Sequence, residues 1–270
     1  MAAESGHSTD DKCRNCGSIL TGEFCAHCGQ AEHLGHPPTI AHFFHDLVHE
    51  LLHVDGKIFL TLKALFFQPG KLTEEYWAGR VASWVRPLRV FIIVLAFQAL
   101  VSRGQGPLNH QVQVKRSVLS GSLSVNIASD LWKIDEQEKS VAASDSEITE
   151  FSRKFEKGYT AVRYSSVLVF ALAEWVLYRR RQPYFVNHLI AGLHFYSFWY
   201  VIAAFASPLG RISPVWNNLV TLSALYLFAA LHRLFRERWF ISFVKGSTLY
   251  LFVFLTEFGM GYAVAKWIEH

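Results

Sequence analysis

The sequence predicts an all-α polytopic membrane protein with about five transmembrane helices, preceded by interfacial amphipathic helices and a small N-terminal zinc ribbon. Three observations carry that prediction. From Leu88 onward, apolar segments of about twenty residues alternate with short basic runs, first Arg179-Arg180-Arg181 and then Arg233, Arg236 and Arg238. The stretch from Leu189 to Leu209 contains no Asp, Glu, Lys or Arg, which a helix crossing hydrocarbon requires. All the cysteines of the chain lie near its start, in the pattern C-x2-C-x8-C-x2-C.

Composition agrees. Of 270 residues, 51% are hydrophobic and 18% charged, against about 25% charged in an ordinary soluble domain. The net charge is +4, but the basic residues flank apolar runs, where they mark the cytoplasmic ends of membrane helices. The expected partner is therefore the lipid bilayer, and nucleic acid is not expected. Met1 to Asp11 is small, polar and acidic, without the apolar region of a cleavable signal peptide.

Residues 1–35 form the expected head. Cys13 and Cys16, then Cys25 and Cys28, supply paired thiolates that wrap a tetrahedral ion from two sides. With four sulfur ligands there is no open position, so the implied cofactor is structural Zn2+ rather than a catalytic metal. A disulfide pair or an iron centre is the alternative. His27 reads as solvent-facing.

Residues 36–87 read as an amphipathic, interfacial platform. In IAHFFHDLVHELLHV, His42, His45, His49 and His53 recur with Asp46 and Glu50 at intervals of three and four, which lines most of them along one helical face. Imidazoles at i and i+4 can share a divalent ion, and polar packing at headgroup level is the plainer reading. After Asp55-Gly56, the segment KIFLTLKALFFQPG is amphipathic and too short to span, so it is expected to lie along the bilayer until Pro69-Gly70 stops it. LTEEYWAGRVASWV follows, with Glu74 and Glu75 in its first turn and Trp77, Trp84, Arg80, Arg86 and Arg89 suited to a cytoplasmic interface.

Residues 88–270 form the membrane domain. The first span begins near Ser83 to Leu88, with Arg86 and Arg89 expected to point back to headgroups. An extracytoplasmic insert, about 103–160, has balanced charge. Its first part alternates weakly at Leu123, Val125 and Ile127, and its second part is expected to be helical after a Ser144–Glu147 capping box. Further spans are expected from about Thr160 to Tyr178, Asn187 to Ser207, Val215 to Phe235 and Phe240 to Ala265. With the head inside, all three arginine clusters fall on the cytoplasmic side, and the cysteines then sit in a reducing compartment that favours metal over disulfide.

Ionisable groups inside spans are costly and often functional. Glu174, His188, His194 and His232, together with His42, His45, His49 and His53, make a second candidate polar or metal site. The alternative is that each histidine bonds a neighbouring helix and specifies packing.

With CRNCGSILTGEFCAHCGQ, then HVDGKIFLTLKALFFQPGKLTEEYWAGRVASWVRPLRVFI and later NHLIAGLHFYSFWY, the chain resembles an uncharacterised family of bacterial membrane proteins. Members join a zinc-ribbon-like head ending in Cys-Gly-Gln to a multi-helix membrane domain. The resemblance rests on Cys13, Cys16, Cys25, Cys28, Gly29 and Gln30, on Asp55 to Gly70, and on Glu75-Tyr76 and Gly79-Arg80. It covers nearly the whole chain except the 103–160 insert. It implies zinc and a multi-pass protein of the bacterial inner membrane, and it supplies no activity and no catalytic residues.

The leading expectation for function is therefore a membrane protein whose zinc head is structural or docks a cytoplasmic partner or a second copy of the chain. The alternatives are a membrane-embedded metal-dependent hydrolase acting on a lipid-like substrate, and a small proton-coupled transporter or channel.

Overall fold

The computed structural model describes residues 12–31, 56–103, 112–117, 123–127, 140–141, 145–212, 219 and 221–269. Its helices are α1 (Lys57–Phe67), α2 (Lys71–Trp77), α3 (Pro87–Arg103), α4 (Asp145–Tyr178), α5 (Phe185–Ile212), α6 (Leu222–Phe235) and α7 (Trp239–Glu269). Between α3 and α4 lie β1 (Val112–Ser117), β2 (Leu123–Ile127) and β3 (Ser140–Val141).

The protein is predominantly helical, and the insert adds a small antiparallel sheet to the all-α expectation. Its strand order is β2-β1-β3, with Val112 opposite Ile127 and Arg116 opposite Val141. The alternation at Leu123, Val125 and Ile127 falls on β2. The helical second part of the insert and the second apolar segment are one unbroken helix, α4, of 34 residues.

α5 is the centre of the bundle. It packs on α3, α4 and α6 and also touches α1 and α2, so most of its side chains from Val186 to Val201 are buried. Aromatic contacts fix its neighbours: Phe195 stacks on Phe170 of α4 at 5.0 Å, Phe198 on Tyr226 of α6 at 3.9 Å, and Tyr200 meets Phe91 of α3 at 6.0 Å. α7 packs on α4 and α6.

By length and composition, two helices are apolar enough to cross a membrane, Phe185–Ala206 and Trp239–Ile268. Pro87–Val101, Tyr164–Tyr178 and Leu222–Phe235 are apolar but shorter. The first is mostly buried by other helices, whereas the second exposes Leu251, Phe252, Phe254 and Leu255.

The two short platform helices are not separate pieces lying outside the bundle. α1 and α2 form one hairpin, and its turn at Gln68–Gly70 packs against α6. Gly70 has φ 76°, and a Cβ there would lie 3.0 Å from the Ala230 carbonyl oxygen and 3.1 Å from its Cα. Both the left-handed backbone and the close approach require glycine. On the α1 side, Thr61 is fully buried, bonds the Lys57 carbonyl at 2.8 Å and accepts the Val85 N–H at 3.0 Å. On the α2 side, Thr73 reaches His194 and Trp77 Nε1 donates to the Asn187 carbonyl at 3.0 Å. The amphipathic pattern of α1 follows equally from a bilayer surface or a protein groove; here Thr61, Ala64 and Leu65 face protein. Gly70→Ala is expected to destabilise the protein by roughly 2–4 kcal/mol, read as a lower unfolding midpoint, while Gly22→Ala, with nothing within 4 Å of its Cβ position, leaves it unchanged.

Arg89, expected to point outward to headgroups, is instead buried at 6% exposure near the start of α3. A guanidinium one turn inside a helix that packs on α5 is covered by that packing, so its charge says less about orientation than sequence position implies.

Candidate functional sites: the cysteine cluster and the polar inner end

The head is built from two copies of one turn. Cys13 N–H bonds the Ser18 carbonyl and Gly17 N–H bonds the Cys13 carbonyl at 2.8 and 2.7 Å; Cys25 with Gln30 and Gly29 with Cys25 repeat the pattern at 2.8 Å each. Gly17 and Gly29 have φ of 78° and 72°, the left-handed step that turns the chain back beside the sulfurs. The result brings Cys13, Cys16, Cys25 and Cys28 together with all four sulfurs within 4.8 Å of one another, enough to bind a metal ion. Hydrogen bonds from Ser18 pull the Cys16 thiol down to about 6, so a thiolate is available at neutral pH.

Gln30 fastens this head to the hairpin. Its amide is 4% exposed; Nε2 donates to the Gly79 carbonyl at 2.7 Å and Oε1 accepts the Val81 N–H at 3.2 Å. The side chain thus satisfies the backbone on both sides of Arg80, as a strand partner would. The sequence marked Gln30 only as part of a resemblance; its partners are far along the chain.

The second candidate set does not gather in one place. Glu174 and His188 come together: both are fully buried, with Nδ1 to Oε2 3.6 Å apart. His188 Nε2 lies 2.9 Å from the Gln182 carbonyl. A carbonyl only accepts, so Nε2 carries hydrogen, and Nδ1 is the atom that faces the carboxyl. A bare Nδ1 opposite an ionised carboxylate would set a lone pair against a charge in an apolar pocket. At 3.6 Å the two do not hydrogen-bond, and both Glu174 oxygens and His188 Nδ1 are buried without a hydrogen-bond partner among the described residues, so a carboxyl and an imidazole face each other across a short gap with nothing else to satisfy them. Trp77 and Phe235 close the pocket with rings 6.2 Å from the imidazole.

His194 is elsewhere, with Nδ1 2.9 Å from Thr73 Oγ1 and Nε2 buried without a partner among the described residues. His232 meets Ser242 at 3.4 Å. These two contacts have the form of helix-to-helix packing bonds. His42, His45, His49 and His53 lie outside the described residues. Among the described residues, the four cysteines are the group of three or more ligand-type side chains that converge within reach of one ion.

Sequence reading missed the ion-pair ring around this end. Glu74 accepts Arg233 Nε at 2.8 Å and Arg236 Nη2 at 3.2 Å, so it ties the hairpin to the end of α6 rather than merely capping α2. Glu237, 6% exposed, holds Lys245 at 2.8 Å and Arg181 at 3.2 Å. Glu75 and Arg80 pair at 2.7 and 3.1 Å. The alternation of Glu-Glu and Arg-x-x-Arg was visible, but nothing local says which acid meets which base.

The Arg233 and Arg236 guanidiniums hold the Glu74 carboxyl below its usual range, with the hydrogen bond from Arg233 the largest cause. A depressed folded pKa stabilises above the ordinary carboxylate range, and that contribution is lost as pH falls through the lowered value. Acidification below about pH 4 is expected to loosen the contact between α2 and α6 in wild type. Glu74→Gln should already be looser at neutral pH and show a flatter acid limb, measured by proteolysis at the hairpin across pH.

A family described as "Protein of unknown function (DUF3667)" matches residues 55–98, which covers the hairpin, the arginine-bearing loop and most of α3. No curated protein and no solved structure matches the chain. The matched residues carry elements that sit against α5 and α6 and the loop that Gln30 of the head bonds.

Proposed function

We propose that the protein is a multi-pass membrane protein of the bacterial inner membrane, with about five crossings and a cytoplasmic N-terminus, whose zinc-loaded head clamps the inner end of its own helix bundle. The observation that carries the membrane reading is apolar surface on the outside of the helices, around an interior that also holds polar groups. The buried set includes Ser166, Glu174, His188, His194, Ser197 and Ser242, while Leu100, Leu172, Leu225, Phe243, Phe252 and Phe254 are exposed on α3, α4, α6 and α7. Water would not tolerate that much apolar surface on four helices, and hydrocarbon favours it. The arginines at residues 179–181 and 233–238 lie together at the end where α4 and α6 finish and α7 begins, which supports a common cytoplasmic side.

Zinc suits the cysteines. A Zn–S bond of about 2.3 Å gives a tetrahedral edge near 3.8 Å, and Cys13–Cys28 and Cys16–Cys25 are 3.6 and 3.5 Å apart. The head's use is then structural: Gln30 turns metal-dependent folding of a short segment into a fixed position for the loop between α2 and α3. The facing of Glu174 and His188 in one buried pocket favours, as the second reading, proton-coupled transport over metal-dependent hydrolysis, which needs more ligands than that pair supplies.

Thiol labelling tests the orientation. A membrane-impermeant maleimide should leave the cysteines of intact spheroplasts unmodified and react with them after permeabilisation and chelation. Modification in intact spheroplasts would overturn the cytoplasmic head, and recovery of the protein in the soluble fraction without detergent would overturn the membrane reading.

A further inference from the structure

We infer that the inner end of the bundle carries a binding site for an anionic phospholipid whose headgroup is hydroxylated and uncharged; this rests on the membrane reading above. A cleft of about 470 Å³ opens there, lined by Glu74, His232, Arg233, Arg236 and Glu237. In its lining two arginines, Arg233 and Arg236, meet two carboxylates, and Arg181 and Lys245, which are not in the lining, add two further cations on Glu237. The excess is positive. Glu74 takes one N–H each from Arg233 and Arg236, and each guanidinium has five in a planar fork that suits a phosphate.

A second observation is independent of the arginines. Glu237 Oε1 receives Lys245, but Oε2 is buried and has no partner among the described residues. A buried carboxylate oxygen requires a donor, and Glu237 is one of the residues that line the cleft. A ligand that brings both an anionic phosphate and a neutral hydroxyl satisfies Arg233, Arg236 and Glu237 together. An ammonium headgroup would also satisfy Glu237, but it makes the ligand neutral and leaves the cationic excess unmatched.

The third observation says the ligand is an amphiphile. Directly after the cleft, Trp239, Phe240, Phe243 and Val244 of α7 are exposed, an apolar wall where acyl chains would continue from a headgroup seated above. Basic pockets on the cytoplasmic side of helix bundles recognise lipid headgroups by this combination. Arg236, the left-handed C-cap of α6 with φ 49° and its N–H on the His232 carbonyl, carries its side chain at 82% exposure.

The experiment is native mass spectrometry of the full chain released from detergent micelles doped with equal amounts of phosphatidylglycerol, phosphatidylethanolamine and phosphatidylcholine. Wild type should retain phosphatidylglycerol above the other two. Arg236→Gln, at an exposed position that does not endanger folding, should lower that retention about fivefold, the effect of one basic residue facing an anionic lipid. Glu74→Gln should raise retention, because it frees two guanidiniums while weakening the hairpin contact; a purely structural cluster would lose retention in both variants. Glu237→Gln should erode the preference for the glycerol headgroup.

Equal retention of the three lipids, a preference for phosphatidylethanolamine, or no change in Arg236→Gln would overturn the site. Displacement of bound lipid by millimolar inorganic phosphate would assign the cleft to free phosphate and overturn the lipid assignment. These failures leave the membrane reading intact as long as the protein stays in micelles or vesicles of every composition; a chain that stays soluble without either would instead remove the premise.

Discussion

Cys13→Ser is expected to remove the metal from the purified protein, from one zinc per chain to none, and to unfold the head while the helices remain. The size of the effect follows from what the head lacks. Its buried apolar inventory is little more than Cys13, Cys25 and Ala31, and the described segment is far too short to fold on burial alone. Structural zinc supplies about 10–16 kcal/mol in comparably small sites, so its loss leaves nothing to hold the two knuckles. The Gly79 carbonyl and Val81 N–H then lose Gln30, and proteolysis should begin in the loop between α2 and α3. Gln30→Ala separates the two steps: zinc should stay, and the same loop should open. Retention of a full equivalent of zinc by Cys13→Ser would remove the four-sulfur site, and an unchanged loop in Gln30→Ala would remove the clamp.

The second large effect is expected at Glu174. Deleting one member of a fully buried carboxyl–imidazole pair leaves the other without its neighbour, which costs about 3–5 kcal/mol. Glu174→Ala and His188→Ala should each lower the unfolding midpoint in detergent accordingly. The double variant should cost much less than the sum, because the two act as a unit. Glu174→Gln keeps the shape and offers an amide N–H to His188 Nδ1, so it should lose no more than about 1.5 kcal/mol. Additive losses in the double variant would show that the two side chains are merely near each other. If this pair also moves protons, Glu174→Gln should abolish coupled uptake in vesicles while leaving the fold in place.

Local chemistry was legible in the sequence, and long-range pairing was not. The cysteine spacing encodes its own geometry, because each pair sits on one turn and the two glycines after them permit the return of the chain. Apolar runs located α3, α5, α6 and α7, with α6 described from Leu222 and α5 continuing beyond Ser207 to Ile212. α1 shows the limit: Thr61, Ala64 and Leu65 are buried by protein while Phe59, Leu60 and Phe67 are exposed. Its pattern of one apolar face is indifferent to whether lipid or protein covers that face. The small residues Thr61, Ala64, Gly70 and Thr73 permit close packing, but nothing in them names Ala230 or His194 as the neighbour. His188 and Glu174 were both singled out as costly charges in apolar helices. That they face each other depends on the rotation of α4 against α5, a matter of many contacts and no single motif.

The hairpin has a consequence for the order of events during synthesis. Glu74 and Arg233 are separated by 159 positions, and Thr73 and His194 by 121. At about 5–20 residues per second, roughly ten to thirty seconds pass between the emergence of the hairpin and that of the helix end that holds it. During that interval residues 56–77 carry two buried threonines and a tight glycine turn with no groove to occupy. The head, by contrast, is complete within its own short segment and can take up metal while translation continues. The head thus matures first and meets its loop at residues 79–81 soon afterwards, while the hairpin waits for α5 and α6 to build its groove.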